Sequence, residues 1–283
     1  MKGWAIMSKY ISRIGILAIV FADTYTVYLF TESMSSFVIV PTVLAVTLAI
    51  LNGITMLSLK SVSVNRVPVR DGSYLQECFN DVCRRANCNN SISLYISNCS
   101  ELPNAYTVGR KVIVNRALLE LDNNTVSAVL AHELAHVNNF DSYFKGLVQL
   151  NLLIGGAILI GIQLGTALII GIIILVVIAL CFNSEFVAFS VAKGAGKVIG
   201  WIGKAVFSIY LFVYKMIAAI FFRAMENTAD RYAVELGYGF SLRNYIDAYD
   251  VYSDEVTFSE KLLLDHPDRY TRIRNIENYD YTN

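Results

Sequence analysis

Five residues near the middle of the chain have types and spacing that suit metal-assisted hydrolysis: His132-Glu133-Leu134-Ala135-His136. On a helix, residues i and i+4 lie one above the other on the same face. Two imidazoles so placed can share one zinc ion at Zn–N distances of about 2.0–2.1 Å. Glu133 follows the first ligand by one residue and sits beside the metal without having to bind it. That suits a general base taking a proton from an attacking water. Ala131 and Ala135 are small and are expected to keep the metal face open. The chain has only three histidines, and two of them are here.

A hydrolytic zinc site takes three protein ligands and leaves a position for water. One class of zinc protease places a third histidine six residues after the second, but that position is Ser142, which excludes the class. His266 is far away in the chain. The best candidate is Glu226, in Glu226-Asn227-Thr228-Ala229-Asp230. Glu226 and Asp230 are again four apart, so on a helix they share a face. Glu226 would ligate, and Asp230 would accept a hydrogen bond from the non-ligating ring nitrogen of His132 and fix its tautomer.

The elements that must position these residues are written in the charge pattern. Only 16% of the residues are charged, against roughly 25% in soluble domains, while 55% are hydrophobic. Four apolar segments stand out: Ile14–Phe30 (interrupted by Asp23), Phe37–Leu59, the long Gly146–Ser184 and Val198–Phe222. Charge-free stretches of about 18 residues or more read as membrane spans. The first is read as an uncleaved anchor, since apolar sequence continues past the signal-peptide-like Val20-Phe21-Ala22. The third is read as one long helix rather than a hairpin. Lys204 and Lys215 in the fourth lie on nearly one face and either snorkel from its ends or line an interior face.

Lys and Arg number three in residues 1–13, none in 31–36, nine in 60–145, two in 185–197 and seven in 223–283. The positive-inside rule then puts the N-terminus and both long polar regions in the cytoplasm. Two crossings between His136 and Glu226 return the chain to the same side, as a shared metal requires. The metal would lie close to the cytoplasmic membrane surface, because both ligand groups adjoin the ends of spans. A nucleic-acid partner is not expected, because 23 basic residues balance 23 acidic ones.

The fold class expected is therefore a mainly α membrane protein. Four transmembrane helices would carry a cytoplasmic α+β, zincin-like protease domain split by the second helix pair. The organisation reads as a transmembrane hairpin (1–59), a first protease half (60–145), a second transmembrane pair (146–222) and a second protease half (223–283). Within 60–145, Tyr74–Arg85 and Asn124–Asn138 have helical patterns, the latter with Val126, Val129, Leu130 and Leu134 as its apolar stripe. Ser91–Ser97 and Lys111–Asn115 read as strands. Cys78, Cys83, Cys88 and Cys99 lack metal-ligand spacing and fall in a reducing compartment, so they are expected to be free thiols.

This order of parts resembles the HtpX-type membrane zinc metalloproteases over nearly the whole chain, most specifically in the His132–His136 and Glu226–Asp230 motifs. Leu102-Pro103-Asn104-Ala105-Tyr106-Thr107-Val108-Gly109 resembles that family's Pro-Asn-Ala-aromatic-x-x-Gly strand and turn, and His266-Pro267 with Arg272-Ile273 its C-terminal His-Pro element. The resemblance implies one Zn²⁺ per chain held by His132, His136 and Glu226, with Glu133 as base and Asp230 orienting His132. It also implies that Asn104 and Ala105 lie on the strand edge that pairs with substrate backbone. His266 would either donate to the tetrahedral oxyanion or simply stabilise a turn.

The implied protein is a multi-pass endopeptidase of the cell membrane. Its substrates would be membrane proteins or unfolded polypeptides, in quality control under stress. Two other readings are a catalytically silent membrane scaffold with a structural metal, and a relative of the prenyl-protein endopeptidases, which share the zinc motif but have more than four spans. Oligomeric state is not indicated by the sequence.

Overall fold

The structure, a computed structural model, describes residues 10–61, 66–69, 72–88, 92–97, 102–182, 185–249 and 267–280. The elements, in chain order, are α1 (Ile11–Thr31), α2 (Ser36–Ser61), β1 (Arg66–Pro68), α3 (Tyr74–Ala86), β2 (Ser93–Ser97), β3 (Ala105–Val108), β4 (Lys111–Asn115), α4 (Asn123–Asn139), α5 (Asp141–Phe182), α6 (Glu185–Glu235), α7 (Gly239–Tyr249) and α8 (Arg269–Asp280). Residues 1–147 together with 219–283 form one compact unit, and residues 148–218 form another.

The first unit contains a four-stranded sheet in the order β1-β2-β4-β3. β2 and β4 run parallel, while β1 and β3 are antiparallel to their neighbours. Gly109, with φ +59°, opens the two-residue turn from β3 to β4, the position where a hairpin of this length needs a residue free to adopt positive φ. Asn115 holds the approach to β3. Its side-chain oxygen accepts from the backbone N–H of Asn104 and Leu118, and its amide donates to the Leu102 carbonyl. The Tyr245 hydroxyl donates to the Pro103 carbonyl at 2.9 Å.

Helix α4 starts where Asp122 accepts from the backbone N–H of Asn124 and Thr125, an N-cap that satisfies two of its orphan donors. It stops at Phe140, which takes the left-handed conformation (φ +63°). Every residue from Val126 to Val137 is buried. Its apolar side packs with Leu75, Phe79 and Val82 of α3, Val112 and Val114 of β4, Leu242 and Ile246 of α7, and Ile276 of α8. Ala131 belongs to this core, so its small side chain serves packing, not an open metal face as expected. It sits about 100° round the helix from His132, which turns it inward.

The second unit pairs α5 with α6. The Tyr210 and Tyr214 hydroxyls donate to the carbonyls of Leu152 and Val148, at 3.2 and 2.7 Å. Helix α5 is continuous for 42 residues and α6 for 51, about 63 and 76 Å at 1.5 Å per residue. The third apolar segment is thus one helix. The fourth does not begin at Val198 but continues a helix from Glu185, through Gly194 and Gly196. Each glycine costs roughly 1 kcal/mol relative to alanine, which a helix this long absorbs. Lys204 and Lys215 are exposed in this unit, as snorkelling side chains would be.

Among the described residues, three helices are long and apolar enough to cross a membrane: Ile11–Leu29, Asp141–Ile178 and Phe189–Glu235. A shorter apolar stretch, Ser36–Thr47, begins α2.

Candidate metal centre

Three side chains from two helices converge. His132 and His136 of α4 and Glu226 of α6 each offer a ligand atom, and these atoms lie within 4.8 Å of one another. The two Nε2 atoms are 3.1 Å apart. Glu226 Oε2 is 3.3 Å from His132 Nε2, and Oε1 is 3.5 Å from His136 Nε2. A tetrahedral ion with donors at about 2.0–2.1 Å sets donor–donor spacings of roughly 3.3–3.4 Å, so the three groups already stand at the edges of such a centre. All three residues are buried, Glu226 to 1% exposure.

The outer nitrogens of both rings face carboxylates. Asp141 Oδ2 lies 2.6 Å from His136 Nδ1, and Asp230 Oδ1 lies 2.9 Å from His132 Nδ1. The second contact is a charge pairing without hydrogen-bond alignment, since His132 Nδ1 has no well-aligned acceptor. This differs in geometry, though not in partner, from the hydrogen bond expected of Asp230. The two Nε2 atoms face each other at 3.1 Å with the Glu226 carboxylate beside both, a donor arrangement that suits a cation.

The electrostatics agree. Burial alone would lower the pKa of His136, but Glu226 and Asp141 outweigh it and push the ring up to about 10. His132 is likewise raised against burial, by Asp230 and Glu226. The pocket therefore favours positive charge, and the donor set of two imidazoles and one carboxylate fits zinc.

Glu133 is buried beside the ligands. The Thr107 hydroxyl of β3 lies 2.7 Å from Glu133 Oε2 and donates to it, with the Glu133 carbonyl at 3.2 Å. Asp230 is fully buried and bidentate to Arg272 of α8, with Nε–Oδ2 at 2.9 Å and Nη2–Oδ1 at 2.7 Å. Burial would raise the Asp230 pKa, but the Arg272 guanidinium wins and holds it at about 2. Lys145 Nζ stands 3.6 Å from Glu226 Oε1.

Replacing Arg272 with Met should strand a buried carboxylate and lower the unfolding free energy by about 3–5 kcal/mol, as read by denaturant titration in detergent. Replacing Asp230 with Asn in the same chain should recover part of that loss.

Ala105 is buried on β3 and Asn104 is exposed just before it. Asn104 bonds toward β4 through its carbonyl, which accepts from the Asn115 N–H at 2.9 Å. By antiparallel alternation, Ala105 and Thr107 then turn their backbone N–H and C=O groups away from β4, to the outer edge of the sheet. The Thr107 carbonyl accepts there from the Ser142 hydroxyl. Among the described residues β3 is one of the two edge strands of the sheet, with β1 at the other side.

His266 lies outside the described residues, as do Cys99 and the side chain of Cys181. Cys78 and Cys83 are buried free thiols, and burial raises the pKa of both. Sequence reasoning did not find Thr107, Asp141 or Lys145. Asp141 carried one signal, a carboxylate five residues past the second ligand.

A paired-histidine helix under a short mixed sheet, completed by a carboxylate from a later helix, defines a metallopeptidase-like fold and site. Residues 70–280 match the model of peptidase family M48, and the chain belongs to that family. Over 81 residues it is 37% identical to the Protease HtpX homolog of Aquifex aeolicus (strain VF5), a match covering 26% of each chain. The match thus spans about a quarter of that relative's length. Ste24p of S. mikatae, a crystal structure, is similar at a TM-score of 0.47 and 18% identity, covering 94% of this chain and 65% of that one.

Proposed function

We propose that the protein is an integral membrane zinc endopeptidase with four spans, its site at the cytoplasmic face of the cell membrane. Its substrates are membrane proteins or unfolded polypeptides, and its role is membrane-protein quality control. The observation that carries the reading is the buried convergence of His132, His136 and Glu226 next to Glu133. Family membership supports the peptidase class. The excess of Lys and Arg in residues 60–145 and 223–283 supports the orientation. In this reading the halves 60–145 and 223–283 make one protease domain, with 1–59 and 146–222 as membrane segments.

His132, His136 and Glu226 would hold one zinc ion per chain. When bound, zinc supplies Lewis acidity that brings a water's pKa to about 7. Glu133 would take a proton from a water attacking the peptide carbonyl and return it to the departing amine. Thr107 fixes the carboxylate for this. Asp141 and Asp230 hold the two rings. An extended substrate adds to the outer edge of β3 beside Asn104 and Ala105, where the main-chain groups of Ala105 point outward while those of Asn104 are bonded to Asn115.

Detergent-purified protein, stripped with EDTA, should lose cleavage of itself and of casein and regain it at one zinc per chain. Cleavage that survives stripping would contradict the reading. One bound zinc with no cleavage would favour a silent scaffold.

A further inference from the structure

The apolar helix α1 reaches the metal centre. Ser12, in its first turn, donates from Oγ to Asp141 Oδ1, and Asp141 Oδ2 takes His136 Nδ1 at 2.6 Å. Ser12 is 1% exposed and Asp141 2%, so this chain of bonds is closed to solvent. Asp141 opens α5, where an acidic residue would ordinarily serve the helix's own N–H groups. Here its two oxygens are instead engaged by Ser12 and His136. The neighbouring contacts reinforce the link. Arg13 Nη2 donates to the Asn138 carbonyl at 2.8 Å, and its guanidinium lies 5.2 Å from the Phe140 ring centroid. The Phe144 ring packs on the bare backbone of Gly15, where a Cβ would come within 2.4 Å of it.

These contacts all grip residues 138–144, the bend at which left-handed Phe140 separates α4 from α5. That bend is what carries Asp141 back to His136. On an unbroken helix a residue five positions on would sit about 140° away.

We infer that Ser12 and Asp141 are positioning residues for His136, and that α1 is a working part of the metal site as well as a membrane anchor. The inference rests on the metal-binding reading above. Through Asp141, Ser12 sets the orientation and tautomer of one ligand ring. Metal affinity, and not only stability, therefore depends on a hydroxyl 124 positions upstream of that ligand.

The test is metal binding by the full chain in detergent, measured by competition with a chromogenic chelator, together with the visible spectrum of the cobalt-loaded protein. Asp141→Ala should weaken zinc binding 10–100-fold, the usual cost of losing an outer-shell partner. Asp141→Asn should fall between it and wild type, because the amide keeps both bonds but not the charge. Ser12→Ala should weaken binding about fivefold, roughly one hydrogen bond, and shift the cobalt spectrum. Ser12→Thr, which keeps the hydroxyl, should restore both. Wild-type affinity and spectrum in Ser12→Ala and Asp141→Ala would overturn this inference alone, as would a Ser12→Thr protein that behaves like Ser12→Ala. A wild type that binds no metal would overturn the metal reading with it.

Discussion

Replacing Glu133 with Gln is expected to leave one zinc per chain in place and to slow peptide cleavage by about 10²–10⁴-fold, the usual contribution of a positioned general base. Glutamine has nearly the same volume and can still accept from the Thr107 hydroxyl, now 2.7 Å from Glu133 Oε2. Packing in this buried position should therefore survive. What is lost is the capacity to take a proton. Zinc content by elemental analysis and single-turnover cleavage of a peptide separate the two effects. Cleavage at the wild-type rate would remove Glu133 from the reaction, and zinc lost along with activity would make it a ligand or a structural group instead.

Glu226→Gln should act in the opposite order. Its carboxylate oxygens stand 3.3 and 3.5 Å from the two Nε2 atoms and bring negative charge to the inner side of the rings. A neutral amide of the same shape fills the space but binds zinc poorly. Metal affinity should fall by more than the roughly 100-fold upper cost of an outer-shell change, and cleavage should fall with it. The companion measurement is the zinc dependence of activity. High added zinc should restore part of the cleavage in Glu226→Gln and none in Glu133→Gln, because only the first has lost occupancy.

The parts of the site legible in the sequence are those whose geometry is local. His132, Glu133 and His136 are placed by helical spacing alone, and so is the pairing of Glu226 with Asp230. The strand at Lys111–Asn115 and the helices at Tyr74 and Asn124 follow from apolar periodicity, and the structure shifts their ends by no more than a residue. Glu226 could be matched to the histidines because two apolar segments had to return the chain to one side.

The rest depends on contacts that no spacing encodes. Thr107 meets Glu133 across 26 positions, Ser12 meets Asp141 across 129, and Arg272 meets Asp230 across 42. Asp141 is close to His136 in sequence, but a helical reading points it away. Only the left-handed turn at Phe140 brings it back, and phenylalanine gives no signal for that conformation, which favours glycine. The helical run from Glu185 was hidden by two glycines and two lysines that resemble a loop. Ala131 serves the core: a small residue beside a ligand can serve either the site or the core, and burial decides which.

Two imidazoles and a carboxylate, from His132, His136 and Glu226, should hold one zinc ion. X-ray absorption at the zinc edge of the purified wild-type chain tests this most directly. A shell of nitrogen and oxygen donors at about 2.0–2.2 Å is expected, with the outer-ring scattering of two imidazoles and no sulfur. A shell at about 2.3 Å would mean cysteine ligation and would rule out His132, His136 and Glu226 as the ligand set.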